Sequence, residues 1–94
     1  MKTMTKKWLE FAKRDLKDAE TLFKSKSWES SILHAHQAVE KTLKAILAER
    51  NLPIRKTHDL EGLAGDTKIN LPSAVLGFIE ELNSYSILQS GSLS

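Results

Sequence analysis

The sequence predicts an all-α fold, an up-and-down helical bundle of three main helices plus one short helix. Three observations predict it. Apolar residues recur at steps of three and four through most of the 94 residues, the period of one buried helix face. No segment alternates apolar and polar residues in the manner of a strand. The two prolines, Pro53 and Pro72, sit at the edges of the periodic segments, where a helix can stop or start.

In the first helix, expected from Thr5 to about Lys24, Trp8, Leu9, Ala12, Leu16, Ala19, Leu22 and Phe23 form the apolar stripe. Glu10 with Arg14, Arg14 with Asp18 and Glu20 with Lys24 are four apart on a solvated face, pairs worth about 0.2–0.5 kcal/mol each. Ser25-Lys26-Ser27 is a short connection, with Ser27 placed to cap the next helix through its hydroxyl. The second helix starts at Trp28, repeats Ile32, Ala35, Val39, Leu43 and Ile46, and runs to about Arg50, where Asn51 and Pro53 stop it. A connection this short makes the two helices an antiparallel hairpin.

After the loop 51–57, Thr57 is placed to cap a short helix over His58–Ala64, with Gly65 ending it in a left-handed turn. Asp66–Asn70 is a second loop. Asn70-Leu71-Pro72 opens the last helix, and Val75, Leu76, Ile79, Leu82 and Tyr85 continue the period. The pattern reaches Ile87-Leu88, so the domain is expected over 1–88 and a flexible tail over 89–94.

Composition bounds function mainly by exclusion. With 40% apolar and 28% charged residues the chain makes one small domain, too short for a two-domain enzyme. Fourteen basic against twelve acidic residues leave +2, which gives no support to nucleic-acid binding. Without cysteine there is no thiolate catalysis and no Cys-type zinc site. No apolar run has signal-peptide or membrane-spanning length, so a cytoplasmic location and no membrane partner are expected.

The candidate chemistry lies in a few polar residues. His34 and His36 are two apart, about 200° around a helix, and cannot share one ion, so no metal and no cofactor is expected. Gln37, Lys41 and Lys44 form a stripe that is either an exposed face, with Glu40 and Lys44 as an ordinary pair, or a place where Lys41 and Lys44 meet phosphate groups. His58-Asp59 is either a polarised imidazole or a helix start whose residues serve capping. Lys41, Lys44 and His58 are therefore the ligand-binding candidates. No catalytic residue is expected: no serine has a nucleophile-elbow setting, and Glu80 and Glu81 point about 100° apart. The edge of the second helix carrying His36, Glu40, Leu43 and Leu47 widens the apolar arc past what one hairpin needs, and predicts a contact with a second subunit or partner.

The run His34-Ala-His-Gln-Ala-Val-Glu-Lys-Thr-Leu-Lys-Ala45, with Lys56-Thr-His-Asp-Leu60 after a proline-containing loop, resembles the HEPN domain family, the higher-eukaryote and prokaryote nucleotide-binding domains. Trp8-Leu-Glu-Phe-Ala-Lys-Arg-Asp-Leu16, the aromatic Trp28 and Leu82-Asn-Ser-Tyr-Ser86 extend the resemblance across about residues 8 to 87. It implies a helical bundle, usually a homodimer, often encoded beside a minimal nucleotidyltransferase as a two-component toxin–antitoxin system. Many members are metal-independent ribonucleases using an Arg followed four to six residues later by a His. Here Arg50 lies eight residues before His58, Arg55 three, and Arg14 far from both; the family's last helix is expected to be missing as well. These departures favour a non-catalytic binding and interaction module over the alternative, a metal-independent HEPN ribonuclease toxin. The expected partners are a second copy, with apolar surface left on Trp28, Leu43, Leu47 and Phe78, a nucleotidyltransferase, and a nucleotide ligand.

Overall fold

The computed structural model describes the backbone of residues 1–93 and the side chains of residues 1–85. Within them run α1 (Thr3–Lys24), α2 (Trp28–Glu49), α3 (Leu60–Asp66) and α4 (Ser73–Leu93), and no strand is present among the described residues. The expected all-α class therefore holds, with three long helices and one short one. The expected tail over 89–94 falls on residues whose side chains, and for Ser94 the whole residue, lie outside the described residues.

Small residues, rather than the large apolar ones, make the α1–α2 seam. Thr5, Ala12 and Ala19 are buried at seven-residue steps on α1, and Ser31, Ala38 and Ala45 at the same steps on α2. Ser31 Oγ donates to the Ala19 carbonyl at 2.7 Å; running antiparallel from that contact, the common step sets Ala12 opposite Ala38 and Thr5 opposite Ala45. At the far end Glu49 accepts from the Lys2 backbone N–H at 3.0 Å and from Thr5 Oγ1 at 2.9 Å. Short side chains let the helices approach closely and push the bulky groups to the flanks. That is why Leu16 and Phe23, expected in the stripe, are exposed, and why Trp28 stands half out of the fold against Phe23 at 4.9 Å between ring centroids.

Both hairpin helices end in the same way. Past α1 the Ser27 N–H bonds the Leu22 carbonyl (2.8 Å) and Lys26 the Phe23 carbonyl (3.0 Å); past α2, Leu52 bonds Leu47 (2.9 Å) and Asn51 bonds Ala48 (3.2 Å). Lys26 and Asn51 take the left-handed conformation, φ 63° and 55°, which the double bond pattern requires. Asn51 thus stops α2 as expected, whereas Ser27 precedes α2 without a capping bond from its hydroxyl.

The largest correction concerns Leu43 and Leu47. Expected at an interface between chains, they join Leu60, Leu63, Ala64, Ile79 and Leu82 in the chain's own core, with Leu47 0% exposed. α3 and α4 lie across that part of α2 and satisfy the wide apolar arc from within. α3 itself begins two residues later than expected and runs through Gly65, which has no positive φ; the left-handed residue is Lys68, φ 59°. Among the described residues α4 packs on α2 and α3 and not on α1. An open channel results between α1 and α4, with α2 as its floor.

Candidate functional site

Three features remain once the core is assigned: a buried carboxylate on α2, a second on α1, and the channel. Glu40 is 6% exposed. Its Oε2 accepts from Lys44 Nζ at 3.0 Å, and its Oε1 from His58 Nδ1 at 2.7 Å. Burial pushes the Glu40 carboxyl up, but the hydrogen bonds from His58 and Lys44 and the Lys44 charge outweigh it, leaving the carboxyl below its ordinary value of 4.5. Ionised, Glu40 only accepts, so His58 donates through Nδ1 and presents Nε2 outward on a ring 85% exposed. Lys44 Nζ also lies over the Trp8 ring, 5.5 Å from its centroid.

His36 is buried one turn before Glu40. Burial holds its imidazole below the ordinary 6.5; the Glu40 charge and a hydrogen bond with the His58 backbone oppose this, and the His58 charge adds to it. Its Nε2 is shut off from solvent with no hydrogen-bond partner. His36 and Glu40, expected at a contact with another chain, thus line a contact inside the chain, between α2 and the segment entering α3.

Lys41 does not join Lys44 and His58. It pairs with Asp15 on α1 and lies 5.9 Å from the Phe11 ring centroid, where Arg14 also sits. The three ligand candidates are therefore divided between two carboxylates, each already holding a cation. Arg55, nearest in sequence to His58, turns to Asp66, Nε to Oδ2 2.7 Å. An imidazole oriented by a carboxylate is half of an acid–base apparatus. The other half is a cation free to meet developing phosphate charge, and the two nearby candidates, Lys44 and Arg55, are each held by a carboxylate.

Sequence reasoning missed two things here. Sequence spacing gives Asp15 no role, yet its side chain is only 9% exposed and gathers Lys41 and His34 from α2; only the register of the hairpin brings them together. The second is the channel. It encloses about 550 Å³ and is lined almost wholly by apolar groups, among them Leu16 of α1, Val39 and Ile46 of α2, Leu71 just before α4, and Val75 and Phe78 of α4. Leu16 and Phe78 are 52% and 49% exposed, so the channel is open at the surface. No helix among the described residues is long and apolar enough to cross a membrane.

No curated protein and no solved structure matches the chain. Residues 5–90 match the family model described as HEPN domain, a span that takes in the α1–α2 hairpin, both buried carboxylates, α3 and most of α4. The chain therefore belongs to the HEPN domain family.

Proposed function

We propose that the chain is a non-catalytic HEPN binding and interaction module, one component of a two-component toxin–antitoxin system that docks a minimal nucleotidyltransferase. The observation that carries this reading is the open apolar channel between α1 and α4, with Leu16, Val75 and Phe78 half exposed along it. Contiguous apolar surface rimmed by polar residues is where partners bind. Supporting it, Lys41, Lys44 and Arg55 are each paired with a carboxylate, so the two candidate lysines and the arginine nearest His58 in sequence are already engaged. A nucleotide or other phosphate at Lys41, Lys44 and His58 has to compete with Asp15 and Glu40, so that binding is weak.

Co-expression with a tagged nucleotidyltransferase of the same genome tests the reading. Co-elution of the chain, lost in a Leu16→Glu, Phe78→Glu double variant that keeps its helicity, is the expected result. A chain that elutes free of the partner contradicts it, and a variant-sensitive dimer in sedimentation gives the channel to a second copy instead.

The ribonuclease reading keeps one observation in its favour, the exposed His58 ring held by Glu40. Specific RNA cleavage abolished by His58→Ala would establish it; no cleavage is expected.

A further inference from the structure

The α1–α2 hairpin brings two carboxylates and an imidazole together. Asp15 and Asp18, three apart on α1, share a face, and His34 of α2 lies across from them. One carboxylate oxygen from each aspartate and one ring nitrogen of His34 all lie within 4.8 Å of one another. We propose that Asp15, Asp18 and His34 form a binding site for a divalent transition-metal ion of the zinc type, bridging the two helices.

The Asp15–His34 geometry carries the inference. His34 Nδ1 is 3.5 Å from Asp15 Oδ1, well beyond the usual N–H···O separation of about 2.9–3.0 Å. That nitrogen is closed to solvent and has no hydrogen-bond partner, an arrangement that costs stability unless something else satisfies it. A separation of this size is close to the edge of a coordination tetrahedron, about 3.3–3.4 Å for metal–ligand bonds of about 2.0–2.1 Å. An ion set between the two atoms satisfies both.

The surroundings fit a ligand set. Lys41 holds Asp15 Oδ2, leaving Oδ1 on the His34 side, as outer-shell partners orient ligating carboxylates. Asp15 is buried and held by Lys41, His34 is half-buried, and Asp18 is exposed. Three protein ligands are the number of an open rather than a closed zinc site, in which water completes the coordination. One imidazole and two carboxylates suit a borderline ion, and the absence of sulfur disfavours Cu(I). The Lys41 charge, paired with the other oxygen of Asp15, weakens the affinity. The competing arrangement is a protonated His34 paired directly with Asp15, which binds no ion.

Titration of the chelator-treated chain with CoCl2, followed by visible absorption and then by displacement with ZnCl2, separates the two. The expected result is one Co²⁺ per chain with the intense band of a tetrahedral site, displaced by Zn²⁺. His34→Ala should bind more than about 100-fold more weakly, beyond what loss of an outer-shell partner costs, with helicity retained. Asp18→Asn, at an exposed position, provides a second variant that leaves packing intact and should weaken binding in the same direction. A wild-type chain that takes up no Co²⁺ overturns the proposal. So does a band that survives both substitutions unchanged, which marks an adventitious ion only.

Discussion

Asn83 on α4 caps the start of α3: its side-chain Oδ1 accepts a hydrogen bond from the Leu60 backbone N–H at 2.9 Å. The same amide donates through Nδ2 to Asp59 Oδ1 at 3.1 Å and to Glu61 Oε1 at 3.3 Å. Asp59 precedes α3 without capping it through its own side chain, so a residue from another helix satisfies one of the free amides of the first turn. This bond ties α4 to the segment that carries His58.

Replacing Asn83 by Ala strands the buried Leu60 N–H and should cost about 1–3 kcal/mol. Asn83→Asp keeps an acceptor but sets a carboxylate against Asp59 and Glu61, and should be at least as damaging at neutral pH. Urea unfolding of the two variants at neutral and mildly acidic pH checks both statements, with the Asp variant recovering part of its loss on acidification.

Leu47 distinguishes a core position from an interface. Leu47→Ala should cost about 2–5 kcal/mol, and Leu47→Glu should unfold the chain, because the site is fully enclosed by its own α3 and α4 partners. Circular dichroism reads the outcome: a Leu47→Glu chain with intact helicity and an altered assembly state would return this residue to a contact between chains.

Stability should fall on acidification in two stages. The folded pKa of His36 lies below 6.5 because of burial, so as pH drops through 6.5 the unfolded chain binds a proton that the folded chain refuses. The folded pKa of Glu40 lies below 4.5; its contribution is present above 4.5 and is lost as pH falls through the folded value. Both slopes have the same sign. Unfolding free energies measured from about pH 7 downward should show the upper slope flattened in His36→Gln. Glu40→Ala, which leaves Lys44 buried without its partner, should cost about 3–5 kcal/mol at neutral pH.

How much of this was legible in the sequence differs from element to element. Helix class and the ends of α1 and α2 followed from periodicity and from Asn51, because those signals are local. The facing of α2 did not. Periodicity finds an apolar arc but not which part of it meets which neighbour, and here the closest contact uses Thr5, Ala12, Ala19, Ser31, Ala38 and Ala45, residues that contribute little to an apolar pattern. The four-residue spacing marks Glu40 and Lys44 as a pair, yet their surroundings come from Trp8 and the His58 segment, which sequence spacing cannot place. Asp15 was invisible as a site residue for the same reason: its partners lie on the other helix.

The channel makes a contrasting prediction for surface positions. Phe78→Glu and Leu16→Glu should each change stability by less than about 1 kcal/mol, since both side chains are half exposed, while removing partner binding. Equal loss of stability and binding would mean that these side chains serve the fold rather than a partner.

Amide hydrogen exchange of the chain, alone and with the proposed nucleotidyltransferase partner, reads out which surface becomes covered. New protection is expected around Leu16 of α1 and over residues 71–79, the two walls of the channel, with the His58 segment unchanged. Protection confined to Lys41, Lys44 and His58, or none at all, would contradict the assignment of the channel as the docking surface.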